Sequence, residues 1–411
     1  MQTNLPEQLL ATTSGKTADS ILRSCVHCGF CTATCPTYLA TGNELDSPRG
    51  RIYLIKEMLE KGVASKVTRT HLESCLSCQA CETTCPSDVH YHELLNIGKN
   101  VLESTVSVPF WVKVKRKTLL AALGSKGFFA FLVQLGSIFH FILPASITRQ
   151  LPLSKHLSTE TTITETFQRK VVLLNGCVQS SLSPHTNRAA TNILNALKIG
   201  AIEITHESCC GAMHYHSDEQ VKGLTRAKKL IDQIEVALSE GAEAVISTAS
   251  GCGNFIKDFD TLFRDEDDYK SRVESIKSKV LDISELLLQE DISKLNFTGG
   301  ERVAFHNPCT LQHGQKLSGV VEALLSQAGF DLNKIQDSHL CCGSAGTYSL
   351  FQPEMAKELR DKKLANLQAG HSNNIATANI GCQCHLASGT KQKVRHWIEY
   401  LAESLLVPKE G

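Results

Sequence analysis

Two short cysteine runs constrain this chain more than any other feature of its 411 residues. Cys25, Cys28, Cys31 and Cys35-Pro36 read C-x2-C-x2-C-x3-C-P, and Cys75, Cys78, Cys81 and Cys85-Pro86 repeat the pattern. The two-residue gaps let one loop wrap three corners of a cube, and soft thiolates suit iron and sulfide. The proline marks where the chain leaves the loop. The spacing therefore predicts two [4Fe–4S] clusters. Zinc sites draw their ligands from separate two-residue pairs, and buried free thiols need no spacing at all. Where two such runs serve two clusters, the fourth cysteine of each ligates the other cluster. One set is then Cys25, Cys28, Cys31 and Cys85; the other is Cys75, Cys78, Cys81 and Cys35. Between the runs, DSPRGRIYLIKEMLE (46–60) reads as helical after Pro48. Its Arg49 and Arg51 either bond cluster sulfur and offset its charge, or belong to a solvated helix face.

The chain holds 17 cysteines, an odd count that a closed disulfide framework would not favour. Residues 1–24 lack the basic start, apolar stretch and small-residue cleavage site of a secretory signal. The expected location is cytoplasmic, where clustered thiols stay reduced and serve metal or redox chemistry. The 42 Lys+Arg balance the 42 Asp+Glu, so a general nucleic-acid binder is excluded. With 42% hydrophobic and 20% charged residues the composition is that of a globular protein, long enough for two or three domains.

The neutral total conceals a basic middle. Between residues 99 and 150, seven basic residues (Lys99, Lys113, Lys115, Arg116, Lys117, Lys126, Arg149) face one acid, Glu103. The uncharged stretch from Gly127 to Thr148 is rich in Phe, Leu and Ile, but includes Gln134, Ser137, His140 and Pro144. A membrane-spanning helix needs about 20 consecutive apolar residues, so spanning is disfavoured. An internal helical hairpin and an interfacial helix on anionic lipid compete, the internal one slightly ahead. Residues 150–168 read as a linker.

The tail repeats itself. VVLLNGC ends at Cys177 and VAFHNPC at Cys309; SCCG holds Cys209 and Cys210, and LCCG holds Cys341 and Cys342; later runs end at Cys252 and Cys382. The offsets are 132, 132 and 130 residues, which marks a tandem duplication. Apolar runs alternate with helical patterns (helices near 184–198 and 218–239 in the first copy), predicting crossover units and a mostly parallel sheet. Ligands bind beyond the carboxyl ends of such strands, where the cysteines fall. Nearby His206, His214, His216, His306, His313, His339 and His385 could tune a metal or exchange protons, and each alone is more simply a structural histidine. No flavin or nicotinamide fingerprint, phosphate-binding loop or nucleophile motif appears, so no catalytic residue is assigned.

Each tail copy resembles the cysteine-rich CCG domain of heterodisulfide reductase-type proteins, whose full pattern ends C-x-x-C and whose five cysteines can hold a non-cubane cluster. The first copy departs from it: Phe255 stands where the last cysteine would, leaving Cys177, Cys209, Cys210 and Cys252. The second offers Cys309, Cys341, Cys342, Cys382 and Cys384, with a shorter final gap. An iron–sulfur or zinc centre, a dithiol pair and buried thiols all stay open there. The expected fold class is α+β multidomain. It comprises a mainly helical two-[4Fe–4S] ferredoxin domain (1–110), a helical basic and apolar segment with linker (111–168) and two α/β CCG repeats (169–300 and 301–411).

As a whole the chain resembles the iron–sulfur subunits of bacterial glycolate oxidase (glycolate dehydrogenase). The resemblance is carried by ILRSCVHCGFCTATCPTY (21–38), ELDSPRGRIYLIK (44–56), CLSCQACETTCPSDVHY (75–91) and HNPCTLQH (306–313). It implies flavin-bearing 2-hydroxy-acid dehydrogenase partners in a hetero-oligomer, and electrons passing through this chain to quinone or the respiratory chain. Peripheral contact with the cytoplasmic face of the inner membrane goes with that role. The iron–sulfur subunit of anaerobic glycerol-3-phosphate dehydrogenase shares the architecture, and a disulfide reductase or a zinc-binding scaffold are the other classes to weigh.

Overall fold

The computed structural model describes residues 1–151, 167–204, 209–217 and 219–406. Most of the 150–168 linker, and His206, lie outside the described residues. The chain forms two compact units: one of Met1–Arg116 with His339–Arg360, the other of Lys117–Ser338 with Asp361–Gly411.

The first unit is helical. Helices Thr13–Ser24, Pro48–Lys61, Lys66–Glu73 and Tyr91–Thr105 surround a core that includes Leu22, Ile55, Met58, Leu72, Leu94 and Leu95. Helix Pro48–Lys61 starts as its sequence predicts. Ser47 caps it, its hydroxyl accepting the Gly50 N–H at 3.0 Å, and proline takes the first turn, where no N–H is needed. It buries Ile52, Ile55, Met58 and Leu59 on one stripe. The loops that carry the two cysteine runs adjoin this core, and Cys25 and Cys81 are part of it.

The second unit holds two parallel four-stranded sheets. Strands β1 (Arg169–Leu174), β2 (Ile199–Glu203), β3 (Ala244–Ser247) and β4 (Val280–Asp282) lie in the order β2-β1-β3-β4. Strands β5 (Gly300–His306), β6 (Phe330–Leu332), β7 (Asn374–Thr377) and β8 (Lys393–His396) lie in the order β6-β5-β7-β8. The same order in both sheets reproduces the duplication at the level of topology. Register pairs Val171 with both Ala201 and Ala244, and Val303 with Asn374. Because strand side chains alternate, the two faces of β1 enter different cores. Val172 and Leu174 join a core private to the first copy; Val171 and Leu173 join one shared with Val303, Phe305, Leu324, Ala376 and Trp397 of the second.

Ahead of β1, helices Phe110–Gly124 and Lys126–Ile138 are bent by 89° at their junction. Among the described residues no single helix is long and apolar enough to cross a membrane; this bent pair meets the length and composition only jointly.

Candidate iron–sulfur sites and cysteine-rich rims

None of the 17 cysteines forms a disulfide. In the head, the two runs share one backbone device. His27 and Gly29 in the first, and Ser77 and Gln79 in the second, all take left-handed conformations (φ of 56°, 87°, 51° and 60°). In each run the first of these residues turns its amide onto a sulfur. The Ser77 N–H donates to Cys75 Sγ at 3.5 Å, and the His27 N–H does the same for Cys25. Such nests of backbone N–H groups suit an anionic sulfur centre. Gly29 has a second reason to be glycine, since a Cβ there would stand 2.8 Å from Arg49 Nη1.

Cys25, Cys28, Cys31 and Cys85 line one open cavity with Val26, Phe30, Ile52 and Val89, and Cys81 also reaches it. Burial pushes the Cys25 and Cys31 thiols up, Cys31 to about 11, and neighbouring thiols add to the effect. Cys81 is pushed well up, first by burial, then by Cys78, Cys75 and, more weakly, Cys35. The two runs are close enough for their thiols to act on one another, since Cys81 shares the first cavity and Cys35 also raises Cys31. Four mutually repelling thiolates in a half-buried hollow need a multivalent cation to hold them ionised. This donor set therefore fits a [4Fe–4S] group.

The arginines flanking Gly50 have different fates. Arg51 is 1% exposed and donates to the His71 carbonyl at 2.7 Å, Ser74 Oγ at 2.8 Å, Thr37 Oγ1 at 3.1 Å and Asp46 Oδ1 at 3.4 Å. It also lies 3.9 Å from Cys35 Sγ. Burial opposes its charge, but Cys75, Tyr91, Cys35 and Asp46 outweigh that and keep it protonated. Arg49 turns outward to pair with Glu44 at 2.5 Å, and contributes its backbone N–H to Cys31. Thr37 and Tyr91 are contacts that sequence reasoning missed: Thr37 Oγ1 is 3.3 Å from Cys35 Sγ, and Tyr91 Oη donates to Cys75 Sγ at 3.6 Å. Nothing in the spacing signals either. Tyr348 donates to the Ser74 carbonyl at 3.1 Å and feels both Cys75 and Cys341.

In the first tail copy the four sulfurs form two pairs. Cys177 follows β1, Cys209 and Cys210 follow β2, and Cys252 sits in the first turn of helix Ser250–Lys257, just past the end of β3. The Cys177 thiol donates a hydrogen bond to Cys209 Sγ, and the Cys210 thiol donates one to Cys252 Sγ. The Cys177 thiol pulls Cys209 down, the Gly211 N–H and Arg226 guanidinium assist, and burial opposes. Arg226, another residue missed from sequence, lies beside His214 and Gly124. Burial, then Arg226, lowers the His214 pKa. The position expected for a fifth cysteine holds Phe255, 3% exposed and packed on Tyr215, His216 and Phe259 at ring separations of 5.4, 5.3 and 5.6 Å.

The second copy divides between the units: Cys309, Cys382 and Cys384 belong to one, and Cys341 and Cys342 to the other. Cys382 Sγ accepts from Asn379 Nδ2 at 3.5 Å, and Cys384 is pushed up to about 12 by burial. Cys382 and Cys384 ride the first turns of helix Ile380–Gly389, past the end of β7. His306 has a ring nitrogen within 4.8 Å of Cys382 Sγ, and its Nδ1 meets Thr377 Oγ1 at 3.0 Å. Burial, with Lys363 and His385 nearby, holds its pKa well below the usual imidazole range. His313 lies on the turn Thr310–Gly314, and His339 opens the segment that joins the first unit.

Residues 21–89 match the 4Fe-4S dicluster domain family, and residues 171–257 and 303–387 each match the Cysteine-rich domain family. The chain is 45% identical over 405 residues to the "Glycolate oxidase iron-sulfur subunit" of Escherichia coli (strain K12), covering 98% of this chain and 99% of that protein. The chain belongs to the glycolate oxidase iron–sulfur subunit family. A second member, the "Probable glycolate oxidase iron-sulfur subunit" of Bacillus subtilis (strain 168), is 28% identical over 90% of each chain. "Lactate utilization protein A" of Geobacillus sp. (strain WCH70) is 22% identical over 56% of this chain and 98% of its own. The family, the α+β multidomain class and the iron–sulfur head with tandem cysteine-rich repeats all stand as the sequence predicted.

Proposed function

We propose that this chain is the electron-transfer subunit of a 2-hydroxy-acid dehydrogenase acting on glycolate. The observation that supports it is the cavity lined by Cys25, Cys28, Cys31 and Cys85 in a chain 45% identical to a glycolate oxidase iron–sulfur subunit. The first [4Fe–4S] group is held by Cys25, Cys28, Cys31 and Cys85, and the second by Cys75, Cys78, Cys81 and Cys35. Such groups exchange single electrons at potentials set by hydrogen bonds, charge and burial. Here the N–H groups of His27, Arg49 and Ser77, the Tyr91 hydroxyl and the Arg51 guanidinium supply those influences. Flavin-bearing partner subunits remove two electrons and two protons from glycolate, giving the 2-oxo acid. Quinone or another respiratory carrier takes the electrons onward, at the cytoplasmic side of the membrane.

Anaerobic purification with the partners tests this. About eight irons per chain are expected, with a paramagnetic signal that grows on adding glycolate; Cys78→Ser should cost about four of them. A colourless, zinc-loaded chain without sulfide would sink the proposal.

A second reading draws on the Cys177–Cys209 pair beside Arg226: the first tail copy works as a dithiol. It requires Cys177→Ser to leave the iron count intact while abolishing reduction of an added disulfide by the reduced complex.

A further inference from the structure

More than half of the large apolar side chains that stand into solvent in the described structure lie between Phe110 and Ile147. Within the second unit this belt runs along helix Lys126–Ile138 and the turns after it. Phe128, Phe131, Ile138, Phe141 and Ile142 are 50%, 57%, 59%, 75% and 69% exposed. Monomeric proteins rarely leave so continuous an apolar surface bare. The inner side is anchored: Val133 is buried, and Gly136 lies against Leu143 and Leu151. Helix Lys126–Ile138 packs on Gln179–Leu182, just beyond Cys177, and helix Ala145–Thr148 packs on Ile380–Gly389, which carries Cys382 and Cys384. The belt therefore backs onto the helix that follows Cys177 in the first tail copy and the helix that carries Cys382 and Cys384 in the second.

Charge identifies what covers it. No Asp or Glu occurs between Glu103 and Glu160, and of the seven Lys and Arg in that interval Arg116 is held by Glu73 at 3.0 Å, whereas Lys117, Lys126 and Arg149 belong to the belt's own unit. A partner protein of ordinary surface would not require such an acid-free interval, whereas an anionic bilayer rewards it with about 1 kcal/mol for each basic residue near the surface. Among the described residues no single helix is long and apolar enough to span, which suits a segment lying in the interface plane.

We propose that residues 127–148 form an in-plane lipid anchor that seats the chain on an anionic bilayer, with the helix after Cys177 and the helix carrying Cys382 and Cys384 behind it. This rests on the reading that electrons leave this chain for a membrane-held acceptor, and it adds which surface meets the lipid.

The full chain, purified with its flavin-bearing partners, is sedimented with vesicles of phosphatidylcholine alone and of phosphatidylcholine with phosphatidylglycerol. Binding to the anionic vesicles, released by salt, is expected, and the double variant Phe131→Asp/Phe141→Asp should lower it at least about tenfold. Both side chains are exposed, so glycolate-driven reduction of a soluble dye should be unchanged in the variant. Equal binding by the variant, or binding indifferent to lipid charge and salt, overturns the anchor. So does stronger protection of residues 127–148 from hydrogen exchange in the complex, before vesicles are added, than in the chain alone, since a partner would then cover the belt. Dye reduction separates the two readings: its loss in the parent complex overturns the electron-transfer assignment, and vesicle binding judges the anchor alone.

Discussion

Arg51 shows how much of the proposed second cluster site depends on one side chain. It offsets the charge of Asp46 and of Cys35 and Cys75 from a position 1% exposed. Arg51→Met should cost about 3–5 kcal/mol by stranding Asp46, and should lower iron retention in the second set before the first. Denaturant titration with iron and sulfide analysis checks both. Neither arginine could be assigned from sequence, because DSPRGR does not reveal which residue of the first helical turn faces inward; packing against Ser74 and His71 decides it. At the far end of the chain, burial lowers His396 from an ordinary 6.5 to about 3. The folded state therefore keeps it neutral while the unfolded chain takes up a proton below pH 6.5, so stability present above that value is lost as pH falls toward 3. Asp282, raised by burial from 3.8 to about 6, acts in the opposite sense, losing stability as pH rises between those values. His396→Asn should keep the cap on the Ile398 N–H and remove up to ~1.4 kcal/mol per pH unit from the acid slope. Unfolding followed from pH 7 down to pH 4 would show an unchanged slope if His396 were not the cause.

Among the elements, helix Pro48–Lys61 reaches both cysteine runs, through the Arg49 N–H at Cys31 and Arg51 beside Cys35 and Cys75. Its start is crowded: a Cβ on Gly50 would lie 2.0 Å from the Glu44 carbonyl oxygen. Gly50→Ala should cost about 1–3 kcal/mol and loosen the Arg49 N–H at Cys31 together with Arg51 at Cys35, broadening the paramagnetic signals of both centres. Most elements were legible from sequence because their signals are local. The Ser47-Pro48 start, the helices at Pro184–Ala196 and Gln220–Ser239 and the parallel strands all carry their own patterns. The finer placement of Cys252 and Cys382 was not legible. Strands β3 and β7 stop at Ser247 and Thr377, and the next turns already belong to helices. An apolar run followed by small residues does not mark that switch. Phe255 was visible as a missing cysteine, but its burial against Tyr215 and Phe259 depends on folding.

The two tail copies are joined across the whole second unit by polar as well as apolar contacts. Glu399 of the second copy accepts the Thr186 hydroxyl of the first at 2.8 Å, while Arg395 holds its other oxygen at 3.1 Å. The Ser250 N–H donates to the Ala378 carbonyl at 3.0 Å. Glu399→Ala should cost about 2–3 kcal/mol and lower the melting temperature of both copies together, read by calorimetry as one shifted transition rather than two. Nothing in the repeat spacing announced this join, since a duplication is equally compatible with beads on a string. The common core of Val171, Leu173, Val303, Phe305 and Trp397 also bears on what the backbone connection itself contributes. Asn296 and Thr298, in the passage between the copies, are exposed. A protease cutting there would sever the peptide without parting the pieces. The nicked chain should elute as one species under native conditions and as two bands in detergent, and co-expressed halves should find each other as a split protein does.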